Sequence, residues 1–125
     1  MAKSKLSPTQ RTIRELKKLG RTCEVVEHWN PHVGKFGVRR DLFGIIDILA
    51  LDPERGVVGI QCCSQSVASH YKKITEGLYE NTLEWLETPG TSLEIWCWRK
   101  VKHKRGGKAM RWQAKVVEIT LEDLE

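Results

Sequence analysis

Residues 44–64 read GIIDILALDPERGVVGIQCCS, and the rest of the chain is organised outward from them. An apolar run holds a single carboxylate, Asp47, and leads into Asp52-Pro53-Glu54-Arg55-Gly56. A second apolar run follows and ends in Gln61-Cys62-Cys63-Ser64. Two β-rich runs around a turn containing Pro and Gly predict a hairpin. Strand side chains alternate faces, so Asp47 is expected to share a face with Ile45 and Leu49, and Gln61 with Cys63. A charge inside an apolar strand is costly unless it is paired or binds a metal. Asp47 is the residue that needs an explanation.

The 125 residues are 40% hydrophobic and 30% charged, the balance of an ordinary folded chain. One domain spanning 1–125 is expected. No apolar run approaches the ~20 residues of a membrane span. The start, MAKSKLSPTQR, lacks the apolar stretch of a signal peptide. A cytoplasmic protein with no membrane partner is therefore expected. The four cysteines, Cys23, Cys62, Cys63 and Cys97, include no C-x-x-C pair and no zinc spacing. They read as reduced thiols packed in strands.

The net charge is +5 and the isoelectric point about 9.1, which favours a polyanionic partner. Positive charge gathers in residues 3–21, 35–40 and 99–108, while 118–125 is acidic. Blocks that converge in the fold would make one phosphate-binding surface, with Arg39, Arg40, Lys102, Lys104, Arg105 and Lys108 as its candidates. Solvated loops are the plainer alternative for any single block.

Residues 6–20 carry agreeing helix signals. Ser7 is an N-cap, Pro8 fits the first position, Gln10 completes a capping box, and Gly20 stops the helix. Ile13, Leu16 and Leu19 form its apolar stripe. Residues 21–29 read as a strand, with Cys23, Val25 and Glu27 on one face. Residues 30–41, with Pro31, Gly34 and Gly37, read as a loop in which His28, Trp29, His32 and Arg39-Arg40 cluster. Beyond the central hairpin, 66–86 shows one long helical pattern (Val67, Tyr71, Ile74, Leu78, Trp85), with Ser64 or Ser66 as cap and Pro89-Gly90 as stop. Residues 92–100 alternate Leu93, Ile95 and Cys97 against Glu94, Trp96 and Trp98, a strand. Residues 101–108 form a basic hairpin tip beside those tryptophans, 110–120 the last strand, and LEDLE an acidic tail. The order α-β-β-β-α-β-β predicts an α/β fold, a central mixed β-sheet flanked by helices.

The chemistry that suits these residues is metal-dependent phosphodiester hydrolysis. Mg²⁺ and Mn²⁺ prefer carboxylate, carbonyl and water oxygens, and such an ion activates water. Asp47 is the anchoring ligand, Glu27 a second, and the Gln61 side chain and the Cys62 carbonyl further candidates. The plainer alternatives are an Asp47 ion pair with Arg39 or Arg40, a Gln61 that satisfies backbone groups, and a solvated Glu27. Neither Cys62 nor Cys63 is marked as a low-pKa nucleophile.

An Asp on one strand of a hairpin, followed on the next strand by an acidic or amide residue two positions before Lys, is the signature of the PD-(D/E)xK nuclease superfamily. Gly44-Ile45-Ile46-Asp47-Ile48-Leu49 and Val58-Gly59-Ile60-Gln61-Cys62-Cys63 resemble that pattern, and residues 7–100 resemble its restriction-endonuclease-like core. The small Holliday-junction-resolvase-like and VRR-NUC nucleases are the members it looks most like. The resemblance implies a Mg²⁺- or Mn²⁺-dependent deoxyribonuclease, with branched DNA among its substrates and a homodimer as its assembly. Gln61 is an accepted variant, but Cys63 stands where the lysine belongs. Either Lys72 or Lys73 of the following helix has taken over the lysine's role, or hydrolysis has been lost. Three readings follow: a nuclease, a nuclease fold that binds nucleic acid without cutting, and an assembly module built on its five tryptophans.

Overall fold

A computed structural model describes residues 6–64, 66–102 and 104–125. Lys3 of the first basic block and His103 of the last lie outside the described residues. The elements are α1 (Pro8–Lys18), β1 (Cys23–Val25), β2 (His28–Asn30), β3 (Val38–Arg40), β4 (Ile48–Asp52), β5 (Gly56–Ser64), α2 (Ala68–Lys72), a π-helical turn (Lys73–Gly77), α3 (Tyr79–Glu87), β6 (Thr91–Lys102), β7 (Met110–Ile119) and a 3₁₀ turn (Leu121–Leu124). Strands β1-β4-β5-β6-β7 form a mixed sheet in that spatial order, antiparallel except for the β5–β6 pair. The expected α/β architecture is the one observed.

Both faces of the sheet are covered, because β5 and β6 are apolar on both sides. Leu16 of α1 packs on Ile48, Ala50, Val58, Ile60, Trp96 and Trp98. On the opposite face, Ile45, Ile46, Cys63, Leu93, Ile95 and Cys97 pack under Ile74, Leu78 and Trp85 of the helical segment. All four cysteines are free, as expected. Burial pushes the Cys62 thiol up to about 12 and raises that of Cys63 further still, so neither is a ready nucleophile.

Helix α1 begins as its sequence predicts, with reciprocal Ser7–Gln10 capping bonds. Leu19 is exposed rather than buried; the stripe ends at Leu16, and the buried Thr12 takes part in it instead. Thr12 is a polar pin: its hydroxyl donates to the Pro8 carbonyl and accepts from Trp98 Nε1 at 2.9 Å and from Cys62 Sγ at 3.4 Å.

Three local expectations change. The 21–29 strand is two strands, β1 and β2, and the supposed loop 30–41 contains β3, which pairs with β2 as a separate ribbon. The 66–86 helix is broken: Leu78 N–H bonds back to Lys73 at i−5, and the Thr82 hydroxyl caps the Ile74 carbonyl at the break. Neither serine caps α2, which starts from Val67 without a side-chain bond. Trp96 and Trp98 are buried beneath α1, so they do not flank the basic tip as surface aromatics.

Candidate metal centre

Asp47 lies just before β4, with its backbone fixed on both sides. Its N–H donates to Ile60 O, and its carbonyl accepts from Val26 N–H, each at 2.8 Å. The buried carboxylate therefore has a set direction. It accepts from the Cys62 N–H at 2.8 Å and from Gln61 Nε2 at 3.0 Å.

Two further carboxylates reach it through strand register. Leu42 and Ile46 bridge across a tight turn, so Asp41 comes to stand opposite Asp47, one step further out. That turn places Phe43 at φ 56° and Gly44 at φ 78°, two left-handed residues in succession, a conformation that favours glycine and strains phenylalanine. Asn81 Nδ2 holds the Phe43 carbonyl at 2.9 Å. In the β2–β3 ribbon, His28 pairs with Arg40, and the next step outward brings Glu27 opposite Asp41. Ligand oxygens of Glu27, Asp41 and Asp47 lie within 4.8 Å of one another.

The cluster lines a cleft of about 300 Å³ together with Arg39, Gln61, His70 and Lys73. Lys73, the first residue of the π-helical turn, places Nζ 3.2 Å from Gln61 Oε1 and 3.4 Å from Asp41 Oδ2. Of the two lysines suggested for the missing position, Lys73 reaches the cleft. Lys72 is exposed and does not line the cleft; it lines only a shallow groove, shared with Ser69, Lys73, Glu76 and Gly77. Cys63 points into the core beside Cys97, where an ammonium would be unsolvated.

Burial, then the hydrogen bond with Asp41 and the charges of Asp41 and Glu27, push the Asp47 carboxyl up to about 7 against the pull of the Cys62 N–H. Burial also raises Asp41, but bonds from Asp47 and Gln61 and the Lys73 ammonium carry it below the usual carboxylate range. Close like charges disfavour joint ionisation, and a proton on Asp47 relieves them in the absence of a cation. Three converging hard oxygens suit Mg²⁺ or Mn²⁺.

The other expected site residues divide. Gln61 directs its amide nitrogen at Asp41 and Asp47 and its oxygen at Lys73, so it bridges the carboxylates and the ammonium alongside the direct Lys73–Asp41 contact. The Cys62 carbonyl shares a strand edge with the N–H that serves Asp47, beyond the last β4–β5 pair at Ile48↔Ile60. Glu27 is half-buried and 3.9 Å from Arg39, and Arg39 does not pair with Asp47. Arg40 is exposed.

Lys102, Lys104, Arg105 and Lys108 are exposed at the β6–β7 tip. That ribbon runs four register pairs past the Ser64↔Trp98 pair where β5 ends, about 13 Å of unsupported arm. Because β5 and β6 are parallel, the arm projects from the same end of the sheet as Gln61 and Cys62. Its root is braced by Trp112, with the Arg11 guanidinium 3.9 Å and Lys100 Nζ 5.5 Å from the ring centre.

Sequence reasoning missed Asp41 and His70. The available signal for Asp41 was Gly44 as a turn residue, which folds position 41 back on 47. His70 gave none; its Nδ1 is buried without a partner among the described residues, and burial and Lys73 lower its pKa. No helix among the described residues is long and apolar enough to cross a membrane. Compared with family models, curated proteins and solved structures, the chain finds no match.

Proposed function

We propose that this chain is a divalent-metal-dependent nuclease that hydrolyses DNA phosphodiester bonds, with branched DNA among its substrates. The observation that carries the reading is the meeting of Glu27, Asp41 and Asp47 within 4.8 Å, beside a lysine supplied from the helical segment. Glu27, Asp41 and Asp47 would hold the ion, and a bound Mg²⁺ or Mn²⁺ would supply Lewis acidity and a more acidic water. Lys73 keeps an ammonium at the cleft, where it can donate to a phosphoryl oxygen and offset charge developing there. Gln61 fixes that ammonium, and Cys62 fixes Asp47 through its backbone. Arg39 at the rim and the basic arm on the same end of the sheet offer phosphate contacts.

A second reading, binding without cleavage, is favoured by Cys63 at the position where the resembled pattern has lysine. One experiment separates the two. Wild type, Asp47→Asn and Lys73→Ala are incubated with supercoiled, single-stranded and branched DNA in Mg²⁺, Mn²⁺ or EDTA. Cleavage by wild type alone, stopped by EDTA, is the expected result. Salt-sensitive binding with no cleavage in any metal would replace the nuclease reading with the second one.

A further inference from the structure

Within the nuclease reading, on which this inference rests, the β2–β3 ribbon has features that metal binding does not use. Its sequence, residues 28–40, contains Lys35, Arg39 and Arg40 and no acidic residue. It also exposes large apolar side chains: Trp29 is 52% and Phe36 80% exposed. Strand alternation places Trp29 and its cross-strand partner Arg39 on one face. Glu27 and Asp41, one step beyond the ribbon's last pair, continue that face. The same surface thus presents the two carboxylates and, two residues along, an indole and a guanidinium side by side, the guanidinium reaching to 3.9 Å from Glu27.

The indole is braced. A Cβ on Gly37 would lie 2.5 Å from Trp29 Cζ2, so the ring sits tightly against the backbone just before β3. At the tip, Lys35 Nζ stands 5.7 Å from the centre of the Phe36 ring. Exposed aromatics interleaved with cations suit a chain of phosphates and unstacked bases, because aromatic faces accept any base and cations track the backbone. A duplex keeps its bases stacked and offers this face only phosphates.

We propose that the β2–β3 ribbon is a stacking platform for unpaired nucleotides, with Trp29 and Phe36 holding single-stranded DNA beside the carboxylate cluster. Arg39 grips the phosphate between the stacked base and the metal site. The ribbon therefore selects substrates with a single-stranded segment next to the scissile bond.

The test measures binding in EDTA, so that cleavage plays no part, by fluorescence anisotropy of a labelled single-stranded 20-mer and of the corresponding blunt duplex. Trp29→Ala and Phe36→Ala are each expected to weaken single-strand binding roughly five- to a hundredfold, with duplex binding changed less than twofold. Trp29→Phe is expected to keep most of the affinity. Phe36 is exposed enough that its truncation leaves the fold intact should Trp29→Ala disturb the ribbon. Wild type that ignores single strands, or variants that lose single-strand and duplex affinity equally or not at all, overturn the platform. Single-strand binding through Trp29 without cleavage in Mg²⁺ or Mn²⁺ sinks only the nuclease reading; cleavage with unchanged binding by both variants sinks only the platform.

Discussion

Asp41 stands opposite Asp47 because the Leu42↔Ile46 bridge closes the five residues between them into a turn. The two carboxyls shift in opposite directions, Asp47 up to about 7 and Asp41 downward. Opposed shifts of this kind are those of two close carboxyls that compete for one proton.

That divergence sets a pH dependence of stability. The folded Asp47 carboxyl holds its proton up to about pH 7, whereas the unfolded chain releases it near 3.8. The associated stability is complete below about pH 4 and is lost as the pH rises to 7, by linkage on the order of 2–4 kcal/mol. Asp41, shifted the other way, acts only below that window. Metal-free wild type should thus lose Tm relative to Asp47→Asn between pH 5 and 8, and excess Mn²⁺ should raise the Tm of wild type alone. Parallel Tm curves for the two proteins across this range would show that Asp47 is not held protonated.

Behind the cleft wall, where it bonds to the lining residues Pro8 and Cys62, Thr12 offers a test of packing. Its single hydroxyl meets Pro8, Cys62 and Trp98, joining α1 to β5 and β6. Thr12→Val keeps the shape but orphans the buried Trp98 N–H, which costs about 1–3 kcal/mol. A Tm lower by roughly 5–10 °C is expected, while Thr12→Ser, which keeps the hydroxyl, should fall by less. Equal melting of Thr12→Val and wild type would mean the hydroxyl contributes nothing net.

The sheet was legible because hydrophobic alternation and turn residues act locally. The 44–64 hairpin, the capped α1 and the β6–β7 ribbon could all be read in this way. Asp47 and Gln61 were legible for the same reason, being polar where the pattern demands apolar. Asp41 was hidden in a segment whose glycines and proline read as loop, and only the pairing of 28–30 with 38–40 brings Glu27 against it. Lys73 was indistinguishable from Lys72, because the direction of each depends on a π-turn that a smooth helical periodicity conceals. Trp96 and Trp98 looked available on a strand face until α1 covered it, a tertiary fact no strand pattern contains.

The basic arm carries a quantitative expectation. If Lys102, Lys104, Arg105 and Lys108 each neutralise one duplex phosphate, replacing all four with alanine should flatten the plot of log affinity against log salt by about 3–4 units. The arm lies outside both core clusters, so melting should be unaffected. An unchanged salt slope would identify the arm as a solvated loop.

Under the nuclease proposal, Lys73 tests whether an ammonium from the helical segment does the work of the lysine that the resembled pattern has where this chain has Cys63. Lys73→Ala removes a donor 3.2 Å from Gln61 and 3.4 Å from Asp41, and loss of one preorganised donor costs about 10²–10³ in rate. Lys72→Ala, one residue away but outside the cleft, should cleave within about twofold of wild type, a control for generic loss of charge. Lys73→Arg should retain part of the rate, since the charge persists while the bulkier planar head fits the Gln61 contact poorly. The ordering wild type, Lys73→Arg, Lys73→Ala is read from initial rates at saturating Mn²⁺, with DNA affinity measured in parallel in Ca²⁺. Equal rates for the two alanine variants would remove Lys73 from the chemistry and leave the carboxylates without a cationic partner in catalysis.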